Sequence, residues 1–167
     1  MSAGAKVPTT MRASLQDRYG EVEVLHVGEA PVPAPGPRQV LVRVRAASVN
    51  PADVFMMRGV PRVVRLAGGL TRPRQRTRGM DLAGEVVAVG AQITRFRRGD
   101  AVFGQGVGTL AEYAVAREDQ LTMLPAGVCF EHAATVALAG ITAQIALEKA
   151  GLEPDQRLLV NGAAGGI

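Results

Sequence analysis

The hydrophobic pattern of this 167-residue chain changes its period near Pro125. Before that point apolar residues alternate. Val40, Val42 and Val44 interleave with Leu41, Arg43 and Arg45, the period of two expected when one face of a sheet is buried. After it, residues 130–150 are rich in Ala and Leu at helical spacing. They lead into "RLLVNG", a run apolar enough to be buried on both faces of a parallel sheet. A chain that passes from short strands to a helix and then to a buried strand must build two units of different class.

Residues 1–10 read as a flexible extension, with Met11 as an alternative start. From there "MRASLQDRYG" and the segment after it predict a strand, a turn and a connection held extended by Pro31, Pro33, Pro35 and Pro37. "MDLAGEVVAVG" predicts a further strand, with Gly84 at a bulge or a close approach. "DAVFG", "LAEYAVA" and "QLTML" are short and each closes on a turn signal, which indicates a barrel or sandwich. Asp81 and Asp100 read as turn and strand-edge residues, and Cys129 as a small buried hydrophobe at a helix start. The helical stretch is expected to break near Gly140 and to stop at Gly151. The boundaries are thus an extension over 1–10, a β domain over 11–125 and the start of an α/β domain over 126–167.

Composition narrows the class. A hydrophobic content of 47% with 20% charged residues describes a globular protein, and one cysteine allows no internal disulfide. The N-terminus has no apolar signal core, and the uncharged stretch 133–147 is too short to span a bilayer. A cytoplasmic protein without a membrane partner is expected. The net charge of +4 owes much to seven arginines between Arg58 and Arg78. No aromatic residue interleaves them to stack a base, so a solvated loop is favoured over a nucleic-acid site. Such a loop could also attract an anionic cofactor or substrate from a distance.

The terminal "NGAAGGI" has the small residues that let a backbone turn sharply toward a pyrophosphate. By itself it is equally a strand-ending turn. Five other segments stand with it in order: "AASVNPADVFMMRG", "RGMDLAGEVVAVG", "RRGDAVFG", "LAEYAVAREDQL" and "LAGITAQIAL". Together the six resemble the medium-chain dehydrogenase/reductase superfamily, in its zinc-free quinone oxidoreductase branch, over about residues 11–167. The resemblance implies a mainly β GroES-like domain followed by the start of an α/β Rossmann domain. It implies NADP as cofactor and hydride transfer to quinones or α,β-unsaturated carbonyls. NAD stays open, because the residue that separates the two lies about 20 positions past the glycines.

Residue by residue, the resemblance places Asn50, Met80 and Leu138 where zinc-dependent relatives carry metal ligands, so no zinc is expected. Asn50 matches an asparagine whose amide bonds the cofactor near the nicotinamide, or else it is a turn residue before Pro51. Thr142 matches a threonine at the nicotinamide carboxamide, and is equally accounted for by a bond to its own preceding helical turn. Phe55 holds the place of an aromatic at the substrate pocket, with core packing as the alternative. Gly162, Ala163, Ala164, Gly165, Gly166 and Ile167 match the pyrophosphate turn. No residue qualifies as a general acid, and catalytic residues stay unassigned. The sequence ends inside the nucleotide motif, so a truncated, longer reductase is expected, with this piece scarcely active alone and the full-length form open to homodimerisation. The competing readings are a non-catalytic GroES-like binding module and one half of a split reductase.

Overall fold

A computed structural model of the chain describes residues 6–153, 155–162 and 165. Two antiparallel strands, β1 (Thr10–Gln16) and β2 (Leu25–Pro31), form a ribbon that runs into the proline-rich connection. Five more strands make one antiparallel sheet in the order β6-β3-β4-β5-β7. They are β3 (Gln39–Ser48), β4 (Asp81–Val89), β5 (Ala101–Gln105), β6 (Tyr113–Arg117) and β7 (Leu121–Met123). Between β3 and β4 lie two short helices, α1 (Pro51–Arg58) and α2 (Val64–Gly68). After β7 come α3 (Phe130–Ala134) and α4 (Ala137–Ala150). No described helix is long and apolar enough to cross a membrane.

The alternation read in the sequence produces the main core. Val40 and Val42 of β3 meet Leu82 and Val86 of β4 and Val102 of β5, all essentially inaccessible to solvent. A second, smaller cluster lies on the α3 side, where Ala83 packs with Ala133 and Ala134, and Ala46 joins it. One irregularity separates the two. Val44 pairs with Gly84 but Ala46 pairs with Ala83, so Arg45 is an extra residue on β3. Gly84, opposite this bulge, marks a close approach of the strands: a Cβ there would fall 2.1 Å from the Arg43 carbonyl oxygen. Of the two expectations for this glycine the close approach holds, while the bulged residue itself is on the partner strand.

The ribbon is fixed to the rest by polar bonds. Gln16 is fully buried, and its side-chain amide donates to the carbonyls of Arg18 (2.7 Å) and Met57 (2.6 Å). "NPAD" starts α1 as its residue types dictate: Asn50 is the N-cap, Pro51 follows, and the Asn50 N–H donates to the Asp53 carboxylate at 2.8 Å. Gly59, at φ +63°, ends the helix in the left-handed region.

Four expectations need correction. The helical stretch breaks at Thr135–Val136 and not at Gly140, because the Thr135 hydroxyl turns back to the His132 carbonyl (2.8 Å) while Gly140 keeps its N–H bond to Val136 (2.6 Å). Gly151 does cap α4, at φ +61°. "RLLVNG" forms no strand; no described strand lies beside it to accept a ladder, and Leu158, Leu159 and Val160 are exposed. Cys129 is exposed: it stands at the N-cap of α3, where the residue precedes the packed turn and is not part of the core cluster. Asp81 is no edge residue: it opens β4 between β3 and β5 and has no exposure at all.

Candidate cofactor site

Three separate pieces of chain enclose a cleft of about 680 Å³. The start of α1 supplies Asn50 and Phe55, α4 supplies Leu138 and Thr142, and the final turn supplies Gly162 and Gly165. The structure therefore brings together five of the nine residues singled out in the sequence: Asn50, Phe55, Thr142, Gly162 and Gly165. Ala163, Ala164, Gly166 and Ile167 lie outside the described residues. Phe55 is 52% exposed, so the core-packing alternative falls away. Gly162 adopts φ +78° and its carbonyl accepts the Gly165 N–H at 2.8 Å, a turn that glycine forms without strain.

The polar groups at the wall are strongly oriented. The Asn50 side-chain NH2 donates to the Ser48 hydroxyl at 3.3 Å and to Asp81 Oδ2 at 3.1 Å. The Thr142 hydroxyl donates to the Leu138 carbonyl at 2.7 Å, which leaves its oxygen as an acceptor. None of the described lining residues titrates, and the wall is mostly apolar. Such a slot can hold a flat ring and offer it amide and hydroxyl oxygens, but it supplies no proton. That is suited to hydride exchange and unsuited to acid–base chemistry at the same atoms.

Behind the cleft sits a buried polar layer that sequence reasoning missed. Asp81 Oδ2 accepts from the Ser48 hydroxyl (3.2 Å), from Asn50 and from the Leu138 N–H (3.1 Å). Asp53 lies nearby, and burial pushes its carboxyl pKa up, with Asp81 adding in the same direction; the Asn50 N–H and Arg78 pull the other way. Arg78 is itself buried, and that burial lowers its guanidinium pKa. Its neighbours in the arginine segment are partly engaged. Arg58 pairs with Glu21 (2.7 Å), Arg76 with Asp17 (2.6 Å), and Arg65 stacks 4.6 Å from the Tyr19 ring centre. The segment is thus no uniformly solvated loop. Of Asn50, Met80 and Leu138, the first and last line the cleft and Met80 does not. Among the described residues no three His, Cys, Asp or Glu side chains gather in a group that could hold a metal.

Residues 36–126 match the alcohol dehydrogenase GroES-like domain. A quinone oxidoreductase of Pseudomonas aeruginosa is 39% identical over 152 residues, covering 89% of this chain and 44% of that protein. The solved quinone oxidoreductase from Coxiella burnetii superposes with a TM-score of 0.78 at 30% identity, covering 87% of this chain and 47% of that one. The Escherichia coli quinone oxidoreductase complexed with NADPH superposes at 0.74 with 26% identity, covering 88% and 43%. The chain spans a little under half the length of these proteins.

Proposed function

Because the chain belongs to the alcohol dehydrogenase GroES-like family, with quinone oxidoreductases of the medium-chain dehydrogenase/reductase superfamily among its homologues, we propose that its cleft holds the nicotinamide end of NADP(H) in a reductase of quinones or enones. One observation carries this reading: a single apolar cleft gathers Asn50, Phe55, Thr142 and the glycine turn, with no titrating side chain among its described lining.

The residues present fit the group. Asn50 and Thr142 would hold its carboxamide end, Phe55 would face the substrate side, and the turn at Gly162 and Gly165 would meet the phosphate end. When bound, the nicotinamide supplies a hydride to an electron-poor carbon. The chain's own part is orientation and exclusion of water. Asn50 presents an oxygen at a fixed angle because its NH2 is held by both Ser48 and Asp81. Leu138 and Phe55 give the slot apolar walls. The residue types at Asn50, Met80 and Leu138 support a reaction that does not pass through zinc. NADP is preferred to NAD on the strength of the NADPH complex of the Escherichia coli protein.

The test is direct. The intact protein, given NADPH and 1,4-benzoquinone, is expected to consume NADPH with turnover, without loss on treatment with a chelator. Absence of NADPH binding by the intact protein would reject the proposal.

A further inference from the structure

Asp81 is buried completely, yet it touches no cation among the described residues. Its Oδ1 has no partner there, so all of its hydrogen bonding falls on Oδ2. Three donors converge on that one oxygen from three places: the Ser48 hydroxyl at the end of β3, the Asn50 NH2 at the start of α1, and the Leu138 N–H in the first turn of α4. These are the two sides of the cleft. The contact with Leu138 also meets a need of α4, whose first N–H groups lack helical partners and whose N-cap, Val136, has no side-chain acceptor. An acidic oxygen at a helix start further suits the helix dipole.

A carboxylate only accepts hydrogen bonds, whereas an amide has one end that donates and one that accepts. Facing Asp81 and Ser48, Asn50 must therefore turn its NH2 inward and its carbonyl oxygen away. We propose that Asp81 is the positioning residue of the cleft: through Oδ2 it fixes the orientation of the Asn50 amide and holds the first turn of α4, and with it Thr142, against the opposite wall. The assignment rests on the reading of the cleft as a cofactor site.

The test uses Asp81→Asn, which keeps the shape and one acceptor but lets the facing amide turn either way. In the cofactor-free protein, the Asn50 side-chain NH2 signals in a proton–nitrogen NMR spectrum are expected to shift and to exchange faster in the variant. An unmoved Asn50 signal overturns the proposal. In binding measured by NADPH fluorescence, Asp81→Asn and Asn50→Ala should each weaken affinity about tenfold, the size of one hydrogen bond. The double variant should lose less than the sum of the two single losses, because Asp81 acts in part through Asn50. Additive losses overturn it. Should Asp81→Asn fail to fold, Ser48→Ala removes the other acceptor of the Asn50 NH2 and leaves the carboxylate; the Asn50 NH2 must then stay slow to exchange, and fast exchange overturns the proposal. If the unaltered protein binds no NADPH, the cofactor reading falls, while the NMR comparison still decides the role of Asp81.

Discussion

The five-stranded sheet and the helical segment after it contain similar residues and treat them in opposite ways. In the sheet, Leu82, Val86 and Val102 vanish from solvent because each strand has neighbours and alternation turns every second side chain inward. In α4, Ile141, Ile145 and Leu147 are each close to half exposed. That helix is anchored at its start, where Ala137 is buried and Asp81 receives the Leu138 N–H. The lesson is one of division of labour. Stability resides in the sheet, and the cleft forms at the seam where a rigid element meets a weakly held one. Sites of that kind gain adjustability from the looser wall.

The largest effect that would sharpen this contrast is Leu82→Ala. Truncation at a fully buried position in a central strand is expected to cost about 2–5 kcal/mol. It should appear as a lower urea midpoint with an unchanged slope. A cost below about 1 kcal/mol would mean that the sheet is not the stable half.

A second, intermediate effect concerns pH at the seam. Burial raises the Asp53 carboxyl above its usual 3.8, so the folded state holds that proton more tightly than the unfolded one. Its contribution is fully present below the unfolded value and is lost as pH rises through the folded value. Asp53→Asn retains an acceptor for the Asn50 N–H but cannot ionise. Its stability relative to wild type should therefore improve as pH climbs from about 4 toward neutrality. Thermal midpoints of the two proteins that run parallel across that range would remove Asp53 as a strained member of the seam.

The smallest effect belongs to α4. Ile145→Ala, at a position 45% exposed, should change stability by about 0.5 kcal/mol or less in denaturant titration. A loss comparable to that of Leu82→Ala would abolish the distinction between the two regions.

What could be read from the sequence follows the range of the interactions. Strands β3 and β4 were legible because alternation is local, and so were the roles of Gly84 and Gly151, where a close approach or a positive φ demands glycine. Asp100 was legible as a turn residue, since its carboxylate binds the Arg97 N–H three positions away at 2.9 Å. Asp81 was not, because its partners are 33, 31 and 57 positions distant and no local pattern announces them. The helix break was misplaced for a related reason: Gly140 suggested weakness, but a Cβ there would press to 2.9 Å from Val136 Cγ1, so the glycine relieves crowding inside an unbroken helix. Asn50, Phe55 and Thr142 were found through family resemblance, and their meeting in one cleft depends on tertiary contacts that spacing alone does not specify.

The extra residue at Arg45 has a consequence for how such chains can change length. Val44 belongs to the main core and Ala46, two positions later, to the opposite cluster, an inversion that an unbroken strand does not make. Ser48, paired with Asp81, inherits that inverted phase. Deleting Arg45 would put Ala46 next to Val44, on the opposite face where it already lies, and would keep Ser48 against Asp81; deleting Ala47 instead would turn Ser48 toward the wrong side and deprive Asp81 of a donor. The strand can therefore shorten by one residue at Arg45 without losing its phase, whereas a loss of one between Ala46 and Ser48 inverts the face that meets Asp81.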